Sequence, residues 1–131
     1  MEDAVAAALE RAVARVGDRW SLLLVHVLLD GPKRFSDLQE SCGIAPNILS
    51  RRLDHLRSAT VVVARPYCER PLRHQYALTD EGRQLASALR LLAAWGDRCA
   101  PRSHVHHARC GAAAEVRWYC PTCEQVLSDG P

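Results

Sequence analysis

The segment 34–58, RFSDLQESCGIAPNILSRRLDHLRS, constrains the fold more tightly than any other part of the chain. Ser36 is placed to cap a short helix running to about Ser41, Cys42-Gly43 supplies a tight turn, and Pro46 suits the first turn of a second helix reaching about Ser58. Two short helices joined by a glycine-containing turn make a helix-turn-helix candidate, the alternative being an ordinary helical hairpin. On a wheel of about 100° per residue, Leu49, Leu53 and Leu56 fall on one side of the second helix and must face a core. Asn47, Arg51, His55 and Ser58 lie opposite, with Ser50 and Arg52 on the flanks.

The flanking sequence supplies that core. Residues 2–16 are alanine-rich, with Val5, Leu9, Val13 and Val16 at helical spacing and Glu10, Arg11 and Arg15 on the other side, which predicts an amphipathic helix. Gly17 interrupts it, and Asp18 is placed to cap RWSLLLVHVLLD, a helix whose nearly encircling apolar residues imply deep burial until the DGP at 30–32. His26 in that run reads as a hydrogen-bonded core residue. VVVARPYC and HQYALT, rich in β-branched and aromatic residues, flank the polar ERPLR and read as a two-stranded hairpin. Thr79 then caps a long helix, with Glu81 in its first turn and Leu85, Leu89, Leu92 and Trp95 along one face up to about Cys99. The expected architecture is mainly α with a small β-hairpin wing, a winged helix-turn-helix over residues 1–100, followed by a separate tail over 101–131 that begins with the linker APRSHVHHAR.

The formal net charge of +2 is unevenly spread: residues 1–30 carry −2, 31–43 are neutral, 44–76 carry +4 and 77–131 are neutral. The excess coincides with the second short helix and the hairpin. On that helix Arg51 offers a guanidinium able to bond guanine bidentately, and Asn47 an amide able to do so with adenine, both near the N-terminus where a recognition helix meets base edges. Arg52 is better placed for phosphate, and Asp54 is expected to lie along the groove or pair with an arginine. The hairpin adds Arg65, Arg70, Arg73 and His74 at a tip that reaches an adjacent minor groove or backbone. The candidate contacts to double-stranded DNA are therefore Asn47, Ser50, Arg51, Arg52, His55, Arg65, Arg70 and Arg73.

VGDRWSLLLVHVLLDGPKRFSDLQESCGIAPNILSRRLDHL, with the later YALTDEGRQL and AAWGD, resembles the HxlR-type winged-helix transcriptional regulators, relatives of the MarR group. The likeness runs from about Ala7 to Asp97 and includes Trp20, the DGP-x-RF-x-DL stretch, the GI-x-P before the recognition helix and RL-x-x-L within it. It implies a homodimeric DNA-binding repressor or activator whose first and last helices form the dimer interface, with Asn47, Ser50 and Arg51 in the recognition helix and Arg73 in the wing. Two positions depart from the family pattern. Ala45 stands where a polar cap is usual, at a cost of roughly 1 kcal/mol, and SATVV replaces a glycine-leucine pair after the recognition helix, forcing a different exit into the strand.

The tail carries His107-x-x-Cys110-Gly and, nine residues later, Cys120-Pro-Thr-Cys123. Two ligand pairs joined by a segment able to form a hairpin can close a tetrahedral site at about 2.0–2.3 Å, and thiolates with imidazole suit Zn2+. Little apolar mass beyond Val116, Trp118, Tyr119 and Val126 is available to hold the tail by burial. A zinc-ribbon-like tail is expected, with His104 and His106 as alternative fourth ligands and a disulfide or unused thiols as the competing readings. Cys42, Cys68 and Cys99 read as small core residues, the alternative being a redox role.

No run of about eighteen apolar residues and no signal-like start is present, so a cytoplasmic protein without a membrane span is expected. Neither a nucleophile elbow nor a phosphate loop nor an acid pair appears, and a fully liganded zinc leaves no place for substrate water, which argues against an enzyme. The expected function is sequence-specific transcriptional regulation by an operator-bound homodimer. The alternatives are a protein-interaction module, with the tail recruiting a partner and the winged helix as scaffold, or a redox-responsive repressor using cysteine.

Overall fold

The computed structural model of the chain describes residues 3–97, 106–114 and 117–127, so Cys99, His104 and Val116 lie outside the described residues. The chain divides into two compact units, residues 1–89 and 90–131. In chain order the elements are α1 (Ala4–Val16), α2 (Arg19–Leu28), β1 (Lys33–Arg34), α3 (Phe35–Cys42), α4 (Pro46–Ser58), β2 (Val62–Glu69), β3 (Leu72–Leu78), α5 (Asp80–Arg83), α6 (Leu85–Gly96), β4 (Tyr119–Cys120) and β5 (Gln125–Val126). The division between units falls inside α6.

Short polar side chains start α1, α2 and α5, because the first backbone N–H groups of a helix have no partner within it. Asp3 accepts from the Val5 N–H at 3.0 Å, Asp18 from the Ser21 N–H at 3.0 Å and Thr79 from the Gly82 N–H at 3.0 Å. The first helix of the helix-turn-helix begins two residues earlier than a Ser36 cap suggests, with Arg34 at the N-cap. The Asp37 carboxylate reaches back to the Arg34 N–H at 3.2 Å, so Ser36 lies inside α3 and caps nothing. Gly43 closes α3 in the left-handed conformation at φ 61°, as the Cys-Gly turn requires.

Ala45 sits at the N-cap of α4 in extended backbone and offers no side-chain acceptor. Ala45→Ser therefore has an unsatisfied N–H to serve, and it is expected to raise the unfolding free energy by about 1 kcal/mol. The check is a higher urea midpoint at unchanged slope.

After α4 the chain turns through Thr60, whose φ of 60° fills the left-handed position that glycine would take without strain. For a β-branched residue that conformation costs on the order of 1–2 kcal/mol. Compensation is local: the Thr60 hydroxyl lies 2.9 Å from Glu81 Oε2 and 3.2 Å from Arg15 Nη2, while Arg15 also donates to the Ala59 carbonyl at 2.5 Å and to Glu81 Oε1 at 2.7 Å. One arginine on α1 thus ties the exit of α4 to the start of α5.

The antiparallel sheet has the order β1-β3-β2, and the β2–β3 pairing runs from Val62 opposite Leu78 to Glu69 opposite Leu72, with a bulge between Pro66 and Cys68. The five-residue loop suggested by ERPLR is therefore only Arg70-Pro71, and Arg73 lies within β3 opposite Cys68. Core residues come from every layer: Leu24, Val25 and Leu28 of α2, Leu38 of α3, Leu49, Leu53 and Leu56 of α4, and Val61, Val62 and Leu78 at the sheet. Gly82 is packed so closely that a Cβ there would stand 2.3 Å from the Val61 carbonyl oxygen.

Three expectations need correction. His26 is exposed instead of buried, because it falls on the solvent side of α2 with Leu23. The last long helix is broken at Gln84, whose N–H bonds to the Glu81 carbonyl three residues back at 3.2 Å and so tightens the turn between α5 and α6. Cys68 is half-buried in the wing, its Sγ 3.7 Å from the Arg70 carbonyl, and belongs to no core; Cys42 does pack against it. Among the described residues no helix is long and apolar enough to cross a membrane.

Candidate nucleic-acid interface

The outward face of α4 owes its position to the inward one. Leu49, Leu53 and Leu56, each at most 1% exposed, fix the rotation of the helix and leave Asn47, Ser50 and Arg51 exposed near its N-terminus. Among the described residues, none of these three is held by an ion pair or a side-chain hydrogen bond. Asp54 pairs with Arg57 at 3.8 Å along the same helix, as expected for a carboxylate on a basic face.

Arg52 and His55, read from the sequence as DNA contacts, are turned toward the protein's own helices. Arg52 Nη1 lies 3.5 Å from Asp18 Oδ2, and His55 Nε2 lies 3.1 Å from the carbonyl oxygen of Arg15. Asp18 is the hub. Its carboxylate caps α2, accepts a hydrogen bond from the hydroxyl of the fully buried Ser21 at 2.5 Å and faces Arg52. Burial alone would raise its pKa, but hydrogen bonds from the Ser21 hydroxyl and N–H, the Arg52 charge and the Trp20 N–H together hold it below the ordinary aspartate range.

The wing brings further guanidinium groups forward. Arg65 is exposed in β2 opposite Gln75, Arg70 is exposed in the turn, and Arg73 is exposed in β3; His74 lies opposite Pro66. At the wing's base Arg34, opposite Gln75 in the β1–β3 pair, stacks over the Tyr67 ring at 4.6 Å. Neither this stack nor the Asp18–Arg52 pair was found from the sequence. Nothing in a linear pattern marks two residues 34 positions apart as partners.

Elsewhere α1 leaves Val5, Leu9 and Val13 at 66%, 60% and 61% exposure, and α6 exposes Leu92 and Trp95. Burial pushes the Cys42 thiol above its usual pKa, which disfavours the reactive thiolate. In the tail, His107 Nδ1 lies 3.2 Å from Cys110 Sγ, and the Cys120 thiol is held below its usual range by hydrogen bonds from Cys123 and Thr122. The four candidate ligands are thus present as two close pairs; among the described residues no three such side chains gather at one point.

A family model described as HxlR-like helix-turn-helix matches residues 15–104. The chain is 36% identical over 123 residues to the HTH-type transcriptional regulator Rv3095 of Mycobacterium tuberculosis strain H37Rv, covering 90% of its own length and 78% of the relative's. It is 36% identical over 95 residues to the HTH-type transcriptional regulator YodB of Bacillus subtilis, covering 71% and 85%. The structure of YodB in its reduced form superposes with a TM-score of 0.64 over 72% of this chain and 95% of YodB at 35% identity. PA1374 from Pseudomonas aeruginosa gives a TM-score of 0.70 over 89% of this chain and 83% of that one at 31% identity.

Proposed function

The chain belongs to the HxlR-like helix-turn-helix family of transcriptional regulators, and from that premise we propose that it regulates transcription by binding an operator as a homodimer, one α4 in each of two successive major grooves. The observation that carries this reading is the exposed set Asn47, Ser50 and Arg51, unpaired among the described residues, on a helix whose opposite face is locked into the core. Arg51 reads guanine and Asn47 adenine, while Ser50 bonds a base edge or phosphate. Arg65, Arg70 and Arg73 hold the backbone beside the groove and set register without reading sequence. Arg52 and His55 act indirectly, by fixing α4 to α2 and α1. The apolar side chains left bare on α1 and at the end of α6 are covered by the second copy, since such patches on a helix mark contact surfaces.

Selection of bound fragments from random DNA, at stated salt, tests this reading. Enriched sequences are expected to hold two related half-sites whose centres lie about 34 Å apart along the duplex, and sedimentation is expected to give a dimer. Failure to enrich any sequence above background would remove the proposal.

A further inference from the structure

The C-terminal unit lacks the usual means of holding a shape. Every described residue from 106 to 127 is exposed except Cys120, which is half-buried. Yet the backbone there is ordered into pairs: His106 bridges Ala113, Tyr119 and Cys120 pair with Val126 and Gln125, and the Leu127 N–H bonds to the Trp118 carbonyl at 2.8 Å. Among the described residues of this segment no apolar side chain is buried, so burial does not offset the entropy of ordering it and a cross-link is needed.

Two turns in this unit repeat one backbone pattern. His107 and Cys110 are three residues apart, and the residue after Cys110, Gly111, has φ 71°; Cys120 and Cys123 are three apart, and the residue after Cys123, Glu124, has φ 54°. In the first turn the Gly111 N–H closes on the His107 carbonyl at 2.7 Å. His107 Nδ1 then lies 3.2 Å from Cys110 Sγ, close to the separation of about 3.5 Å between a nitrogen and a sulfur bound to one tetrahedral zinc ion. In the second, the pairing of Cys120 with Gln125 closes a short turn that contains Cys123. Glu124 occupies the left-handed region without being glycine, a local strain that the turn must recover.

We propose that these two turns are the halves of a metal clamp, in which His107, Cys110, Cys120 and Cys123 ligate one Zn2+ ion. The ion draws together two pairs that the chain has already shaped, each cysteine giving up its thiol proton on binding. Three sulfurs and one imidazole select a thiophilic cation over Mg2+ or Ca2+. Four protein ligands leave no open position, so the ion braces the tail and does no chemistry on a substrate. Of the two described tail histidines, His107 meets a cysteine, which favours it over the adjacent His106.

The test uses the full chain in reducing buffer. Elemental analysis is expected to find one zinc per chain, and exchange for Co2+ to give the intense visible bands of a tetrahedral, thiolate-rich site. Cys120→Ser with Cys123→Ser is expected to lose stoichiometric metal while keeping the helical circular dichroism signal; Cys42→Ser is expected to keep one metal per chain. If the double variant unfolds, alkylation of the wild type decides: Zn2+ should shield Cys110, Cys120 and Cys123, and leave Cys42 and Cys68 unchanged. Metal-free protein that takes up no Co2+, an octahedral cobalt spectrum, wild-type binding by the double variant or alkylation indifferent to Zn2+ would each overturn the clamp.

Discussion

Asp18→Ala is expected to lower the unfolding free energy by about 2–4 kcal/mol. Three losses coincide. The cap of α2 disappears, at a cost of about 1 kcal/mol. The Ser21 hydroxyl, fully buried, keeps no acceptor, for another 1–2 kcal/mol or so. The Arg52 pair adds less than about 1 kcal/mol, because its side chains are 38% and 34% exposed and water screens them. Arg52 Nε is already buried and without a hydrogen-bond partner among the described residues, and its guanidinium would then lose its carboxylate as well.

Asp18→Asn separates the cap from the charge. Asparagine caps as well as aspartate, so a loss below about 1 kcal/mol at neutral pH is expected. The pH dependence carries the sign of a depressed carboxylate. Its contribution is fully present above the unfolded value of about 3.9 and is lost as pH falls through the lower folded value. Urea unfolding of wild type and Asp18→Asn between pH 3 and 6 should therefore converge as the solution becomes acidic. Glu81, also held low by hydrogen bonds from Arg15 and Thr60, falls in the same window, and it must be present in both proteins for the comparison to isolate Asp18.

Arg51→Ala is expected to reduce affinity for the selected operator by about ten- to a hundredfold per half-site, the worth of one bidentate base contact in each subunit, and to relax specificity at one position of each half-site. Arg70→Ala at the wing turn should behave differently. It weakens all sequences alike and reduces the slope of log affinity against log salt by about 0.9 for each phosphate the wing no longer neutralises. Competition binding with operator and scrambled duplex at several salt concentrations distinguishes the two. An unchanged ratio of specific to non-specific affinity in Arg51→Ala would take base reading away from α4.

Much of the helical framework is legible because periodicity and caps are local. Leu49, Leu53 and Leu56 determine which side of α4 is buried, and any sequence wheel places Asn47 and Arg51 opposite them. Asp18 and Thr79 announce helix starts for the same local reason. What the sequence conceals is long-range. Arg52 and His55 look like further members of a DNA-facing set, and only the approach of α2 and α1 shows that their polar atoms are already engaged. β1 has two residues and no alternation to betray it; its existence depends on β3 offering an edge. Thr60 hides equally well, since nothing in SATVV reveals that its threonine must adopt the conformation a glycine would supply. In the tail the spacing of His107, Cys110, Cys120 and Cys123 is plain to read, but the repeated left-handed residue after each pair is visible only in three dimensions.

Because β2 and β3 stay paired to within one two-residue turn, the wing is a stiff arm of roughly 26 Å, eight residues at about 3.3 Å each, and not a floppy loop. A pull on the guanidinium at its end travels down the ladder to Gln75, whose neighbours across the sheet include Arg34, and Arg34 is the residue from which α3 springs. On the reading proposed above, a phosphate held at that end would bear, through this ladder, on the residue that starts α3.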